Sequence, residues 1–171
     1  MMEKLKKIAS AAAAAALLLF TYNVQAQNIE PAGDSRETRL GIGLNLGLPT
    51  EDGYDFAIGG DLRLQKDFSG NVSGLLSAGY TAFTYDGGSV GFIPVKAGIK
   101  VFPVTKFYFS GELGAGFPTQ DGGKTAFVWA PGVGYGFNNG LDLGLRYEGF
   151  SANESTLGQV ALRIAYGFML R

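Results

Sequence analysis

Apolar residues recur at every second position through most of the chain beyond residue 38, and this period of two constrains the fold more than any other feature. Residues 160–168 are the clearest case, where large apolar side chains alternate with alanine, arginine and glycine. A period of two places successive side chains on opposite faces of an extended chain. The stretch therefore predicts a β-strand with one apolar face.

Seven earlier stretches repeat this alternation, separated by segments rich in glycine, proline, asparagine and aspartate. They lie at about residues 40–48, 56–65, 72–84, 93–101, 107–117, 127–137 and 141–148. With the last strand the total is eight, and a single-chain bacterial membrane barrel has an even number of strands. The sequence predicts an all-β fold, an eight-stranded antiparallel up-and-down transmembrane β-barrel that follows a cleavable signal peptide.

Glycine decides which face of the strands points outward. The face opposite the apolar residues carries many glycines, such as Gly41, Gly79, Gly114 and Gly144. On the wet exterior of a soluble barrel these glycines would weaken the strands for no gain. Inside a narrow barrel, small residues leave room for a few long charged ones. A membrane barrel is therefore favoured, with a soluble periplasmic barrel that binds an apolar ligand as an alternative.

The N-terminus reads as an export leader. Residues 1–26 combine Lys4, Lys6 and Lys7, an apolar run to Phe20 and small residues at positions 24 and 26, which predicts a signal peptide cleaved after Ala26. The apolar run is shorter than the roughly 20 residues of a spanning helix, which argues against an uncleaved anchor. Residues 27–37 are polar and aperiodic and predict a flexible periplasmic lead-in, so that residues 38–171 form the barrel.

The inward face is expected to carry charges of both signs. A lining of mixed charge favours an ion-pair network that plugs the lumen, because buried charges need partners. A narrow channel for small solutes is the alternative. A tight connection at residues 103–105 would also place Lys96 opposite Glu112, and we expect an ion pair there. The predicted luminal charges are Arg39, Asp61, Arg63, Lys96, Lys100, Glu112, Asp142, Arg146, Glu148 and Arg163.

The connections predict the orientation in the membrane. We expect longer polar loops after strands one, three, five and seven and tight turns after the others, so that the longer loops face outward. Aromatic residues near the strand ends predict two interfacial girdles. One would comprise Tyr54, Phe56, Phe117, Phe127, Trp129 and Tyr147, and the other Phe68, Phe102, Phe107, Phe137 and Phe168.

The leader, the eight alternating strands and the aromatic residue near the C-terminus together resemble the small eight-stranded outer-membrane β-barrel family. The likeness is to the porin-like barrel domains common in Bacteroidetes and, more distantly, to the OmpX and OmpA barrels. It covers the chain from about Thr38 onward. The resemblance implies an integral protein of the outer membrane, whose partners are membrane lipid and the barrel-assembly machinery. It also implies an assembly signal at Tyr166 and Phe168 and a possible extracellular ligand at the outward loops.

Composition argues against several other functions. The chain has no histidine and no cysteine, the usual general base, nucleophile and metal ligands, so no catalytic, metal or cofactor site is expected. Acidic residues at Asp52, Asp55, Asp86, Asp121 and Glu154 could form a calcium rim, but aspartates that form turns explain them better. The formal charge of -1, without a basic stripe, argues against nucleic-acid binding. We therefore expect a non-enzymatic barrel with a structural or surface-interaction role.

Overall fold

The computed structural model describes residues 37–170, which form one all-β domain. The predicted signal peptide and the lead-in, apart from Glu37, lie outside the described residues, as does Arg171. Within the described range there is no helix with the length and hydropathy needed to cross a membrane.

Eight strands pair in chain order, and the first closes onto the last to complete the barrel. All neighbouring pairs are antiparallel, which confirms the predicted fold class. The strands are β1 (Thr38–Pro49), β2 (Phe56–Ser69), β3 (Val72–Tyr85), β4 (Gly88–Val101), β5 (Phe107–Pro118), β6 (Ala126–Gly136), β7 (Leu141–Ala152) and β8 (Ser155–Leu170).

The closing seam between β1 and β8 is paired along its full length. It runs from Thr38 opposite Leu170 to Pro49 opposite Gln159. Each strand therefore has a neighbour on both sides, and the sheet has no free edge. A closed sheet is the one β-architecture whose backbone groups are all satisfied in lipid, where water cannot bond to them.

The barrel has two ends, named here by the chain termini. The terminal end holds the start of β1, the end of β8 and the connections at residues 70–71, 102–106 and 137–140. The distal end holds the connections at residues 50–55, 86–87, 119–125 and 153–154. The expectation of longer loops after strands three and seven was wrong, because both are two-residue turns. At the second, Asn153 and Glu154 have φ of 49° and 65°, the left-handed geometry that suits a tight hairpin.

Exposure alternates along the strands with the apolar side chains outward. Leu62, Ile99 and Leu113 are 54–58 % exposed, whereas the inward Lys96 and Glu112 are 1 % and 2 % exposed. Charged residues are almost never fully buried in soluble proteins unless they are paired. An apolar exterior around a charged interior inverts the soluble arrangement and is the one a membrane-spanning barrel requires.

Candidate functional site in the lumen

The ten predicted luminal charges all point into the barrel. Nine of them are buried, and the tenth, Asp142, keeps 17 % of its side chain exposed. Nine of them form ion pairs centred on the four carboxylates of the predicted set, and Arg39 pairs instead with Glu37 and Asp67.

Asp61 on β2 is bound by groups from β1 and β8. Nη2 of Arg163 lies 2.7 Å from its Oδ1, and Nε of Arg163 donates to its Oδ2 at 3.2 Å. The amide of Asn45 donates to the same Oδ2 at 2.8 Å. This two-point contact between a guanidinium and a carboxylate fixes the geometry as well as the charge.

Glu112 on β5 and Glu148 on β7 bind cations from across the barrel. Glu112 pairs with Arg63 and accepts a hydrogen bond of 2.6 Å from the hydroxyl of Ser77. Glu148 pairs with Lys96 and accepts a bond of 2.9 Å from the amide of Gln159. These pairs join strands that are not neighbours in the sheet, so they brace opposite walls of the barrel.

Arg146 connects these carboxylates. Its nearest approaches to Glu148, Glu112 and Asp61 are 3.3 Å, 3.8 Å and 4.0 Å between guanidinium nitrogen and carboxylate oxygen. Arg146 thus lies within 4.0 Å of three carboxylates and links their ion pairs into one network in the middle of the lumen.

The expected ion pair between Lys96 and Glu112 was wrong. Lys96 lies opposite Gly114 in the sheet, and Glu112 lies opposite Gly98. The connection between β4 and β5 spans residues 102–106 and is longer than the tight turn expected. This shifts the facing residue by two positions and gives Lys96 a different partner.

The terminal part of the network is built on Asp142 and Asp67. Asp142 lies 2.8 Å from the ammonium of Lys100, 3.5 Å from Arg163, and accepts a bond of 2.6 Å from the hydroxyl of Tyr108. Asp67 lies 3.2 Å from Arg39 and accepts a bond of 2.5 Å from the hydroxyl of Ser73.

Asp67 is a luminal residue that the sequence argument missed. The second alternating stretch was expected to end at about residue 65, but β2 continues to Ser69. The signal was present, because Asp61, Arg63, Gln65 and Asp67 continue the same alternation. With Asp67 included, the lumen holds six cations and five carboxylates.

Long charged side chains face glycines across the strand pairs. Asp61 lies opposite Gly79, Glu112 opposite Gly98, and Lys96 opposite Gly114. A Cβ at any of these three glycines would stand within 2.2 Å of a backbone carbonyl oxygen. Glycine is therefore required at these positions, and it leaves space for the facing side chain in a narrow barrel.

An apolar cluster closes the distal end of the lumen. Ala57, Phe83, Ala126, Val128 and Phe150 form its buried core, against which Tyr54, Phe92, Ala152 and Leu157 pack. The ring of Phe83 lies edge-on to those of Phe150 and Phe92, at centroid distances of 5.6 Å and 6.3 Å. We call these nine residues the distal plug. Between it and the terminal end lies the ion-pair network.

The terminal end of the lumen is less tightly filled. A half-open pocket of about 80 Å³ lies there, lined by Arg39, Arg63, Lys100, Asp142 and Arg163 together with several glycines. Lys100 also lies 3.8 Å above the ring of Tyr108, a cation–π contact.

The aromatic residues at the strand ends include two that do not face lipid. Phe102, expected in a girdle, is only 5 % exposed and packs on Tyr108 inside the terminal mouth. Tyr54 belongs to the distal plug. Outward aromatic side chains do meet in pairs, as at Trp129 with Tyr147 and at Tyr166 with Phe168. Tyr166 and Phe168, the predicted assembly signal, lie on the outer face of β8 beside β1.

No metal centre is assembled by the acidic residues. Among residues 37–170, no three acidic side chains come close enough to hold an ion together.

Solved structures with the same architecture come from outer-membrane proteins and from design. Ail of Yersinia pestis, the attachment invasion locus protein, is 20 % identical with a TM-score of 0.60, over 78 % of this chain and 99 % of that chain. The fold is that of a small eight-stranded outer-membrane β-barrel. The N-terminal β-barrel domain of Pseudomonas aeruginosa OprF is 15 % identical with a TM-score of 0.54, over 76 % of this chain and 97 % of that chain.

A de novo designed transmembrane β-barrel is similar too. It is 17 % identical with a TM-score of 0.54, over 83 % of this chain and all of the designed chain. No protein-family model and no curated protein matches the sequence. The likeness to an unrelated designed chain indicates that the shared pattern is that of the barrel itself.

Proposed function

We propose that this chain is an integral outer-membrane barrel with a sealed lumen, which acts as a non-enzymatic scaffold and surface-interaction protein. The observation that supports the proposal is the set of buried ion pairs and packed apolar side chains inside the barrel. Ion pairs occupy the middle of the lumen and the distal plug closes one end, so the surfaces left for function are the lipid-facing belt and the two rims. An outer-membrane location rests on the predicted leader and on the solved neighbours.

Contact with lipid is tested through the single tryptophan of the chain. Trp129 is 36 % exposed on the outer face of β6. In vesicles of brominated phospholipid its fluorescence should be strongly quenched, since bromine quenches only on contact. A matched control moves the tryptophan inside, by Trp129→Phe with Phe150→Trp, because Phe150 is 2 % exposed within the distal plug. Absence of quenching in the native protein would contradict a lipid-facing belt and favour the soluble barrel. Equal quenching of both proteins would contradict the inward position of residue 150.

The surface role is assigned to the distal rim, which would lie outside the cell. Its exposed charges are one cation, Lys124, and the acids Glu51, Asp52, Asp55, Asp86, Asp121 and Glu154. Ail has been crystallised with the heparin analogue sucrose octasulfate, a polyanion. The acidic rim of this chain would repel such a ligand and attract a basic one. We therefore assign a basic protein segment as the partner class.

A lysine-rich peptide serves as the probe for this rim. Protein in nanodiscs of uncharged lipid should bind the peptide, and added salt should weaken the binding because exposed charges are screened. The triple variant Asp52→Asn, Asp55→Asn and Asp121→Asn should bind more weakly. Lys124→Gln is the control, because it removes the cation of the same rim. It should bind the peptide at least as well as the native chain. Equal affinity of the native and triple-variant proteins would refute the rim as the binding surface.

A further inference from the structure

The pocket at the terminal end of the lumen is open space that larger side chains could occupy without a clash. A Cβ added at Gly41, Gly136 or Gly167 would meet no atom closer than 3.6 Å. A Cβ at Gly43 or Gly134, deeper in the same lumen, would overlap the side chains of Arg163 and Tyr108 at 2.7 Å and 2.2 Å. The deeper glycines make room for protein side chains, whereas the three terminal ones leave a cavity.

The walls of this cavity are positively charged. Arg39, Arg63, Lys100 and Arg163 line it, with Asp142 as the one acidic side chain among the lining residues. Asp142 already accepts from Lys100, Arg163 and Tyr108. Asp142 is thus shared by two cations. Within the described barrel, Lys100 has no other carboxylate within 4.0 Å, whereas Arg163 also pairs with Asp61 deeper in the lumen.

The rest of the lumen is nearly balanced in charge. Its six cations face five carboxylates, and Glu37, at the mouth, lies 3.0 Å from Arg39 and keeps 34 % of its side chain exposed. The pocket differs because the other carboxylates that pair with Arg39, Arg63 and Arg163 lie outside its lining. Within the described barrel, Nε of the buried Arg63 has no hydrogen-bond partner. A group of cations around a cavity in a membrane barrel is costly, and a bound counter-ion offsets the cost.

We propose that the terminal pocket binds a small oxyanion of the size of phosphate or sulfate. Guanidinium and ammonium groups donate charge-assisted hydrogen bonds to such oxygens. The pocket of about 80 Å³ holds one anionic group and has no room for a nucleotide. The distal plug blocks the opposite approach, so the anion enters and leaves by the terminal mouth. The inference adds to the sealed scaffold proposed above and holds whether or not the distal rim binds a partner.

The test is a titration of the ¹⁵N-labelled protein with inorganic phosphate, followed by NMR. The protein is refolded in maltoside micelles, which contain no phosphate, and chloride keeps the ionic strength constant. The amide signals of Gly41, Gly136 and Gly167 should shift and saturate, and sulfate should compete. Gly136→Val fills the cavity and should weaken the apparent affinity by at least about tenfold. Gly167→Val provides a second filled variant if the first does not give a folded spectrum.

The matched control places the same substitution on the lipid face. Gly111 has open space around it on the outside of β5, so Gly111→Val should leave phosphate binding unchanged. Shifts that grow linearly without saturating, or that persist in both filled variants, would mean an adventitious ion only and would overturn the proposal.

A second arm identifies the source of the anion. In phosphocholine nanodiscs without added phosphate, a lipid headgroup that occupies the pocket would produce the saturated spectrum at once. A free anion would still require the titration. Either result supports an oxyanion site. If the shifts of the three glycine amides do not reach saturation in either medium, the proposal is contradicted.

Discussion

Replacing Glu148 by glutamine removes one negative charge from the middle of the lumen and keeps the size of the side chain. Both members of the Lys96–Glu148 pair are fully buried. Within the described barrel, Glu148 is the only carboxylate within 4.0 Å of the Lys96 ammonium. The substitution leaves that ammonium unpaired, and breaking a buried pair from one side costs about 3–5 kcal/mol. We expect Glu148→Gln to lower the free energy of unfolding by that amount.

Replacing Lys96, the other member of the pair, should lower the free energy of unfolding by less, because Glu148 has further hydrogen-bond donors and a second cation. Arg146 lies 3.3 Å from Glu148, and Gln159 donates to it at 2.9 Å. Lys96→Met therefore leaves the carboxylate partly satisfied, with an expected loss of about 1–3 kcal/mol. The double variant should lose less than the sum of the two single losses, by about 2 kcal/mol.

The assay is equilibrium unfolding by urea in phospholipid vesicles, followed through the fluorescence of Trp129 and through the shift of the folded band in unheated gels. Glu51→Gln, the same substitution on the exposed distal rim, serves as control and should not change the midpoint measurably. Equal losses of unfolding free energy for both single variants would contradict the extra donors assigned to Glu148. Additive losses in the double variant would contradict the pairing of Lys96 with Glu148.

Three further outcomes are expected. Phe83→Ala, in the distal plug, should lower the free energy of unfolding by about 3–5 kcal/mol, as for other buried phenylalanines. A loss of unfolding free energy no larger than that of Leu62→Ala on the lipid face would contradict a packed plug. A cysteine at Asp121 should react with an impermeant maleimide on intact cells and one at Asn139 only after the envelope is broken, because the two longest connections, at residues 50–55 and 119–125, lie at the distal end and long loops face outward. Labelling of Asn139 on intact cells would reverse the orientation. Phe168→Ala should reduce the amount of folded protein in the outer membrane while the purified chain still refolds in detergent, and unchanged amounts in cells would remove Phe168 from the assembly signal.

The period of two was sufficient to predict the class of fold, and together with the glycines of one face it predicted the direction of the side chains. Alternation is local, so each of the ten expected charges could be placed on the inner face from its own neighbours. Asp67 was missed only because β2 was ended early. Its alternation with Gln65 and Arg63 would have placed it in the lumen.

The ion-pair partners and the lengths of the connections could not be predicted from the alternation. The facing residue across β4 and β5 depends on the length of their connection, and a difference of two residues moved Lys96 from Glu112 to Gly114. The pairs Arg63–Glu112 and Lys96–Glu148 cross the lumen between distant strands. They depend on the barrel's diameter and stagger, which no local pattern encodes. The distal plug was missed for the same reason, because its aromatic residues come together only when the barrel closes.

A sealed lumen should not conduct ions, and single-molecule conductance in a planar bilayer measures this property. Purified protein, refolded and inserted in concentrated potassium chloride, should give no unitary current steps, because the ion-pair network and the distal plug are proposed to leave no path for ions. A general porin inserted under the same conditions confirms that the bilayer reports open channels. Reproducible steps whose size scales with salt concentration would contradict the sealed lumen and establish the narrow channel instead.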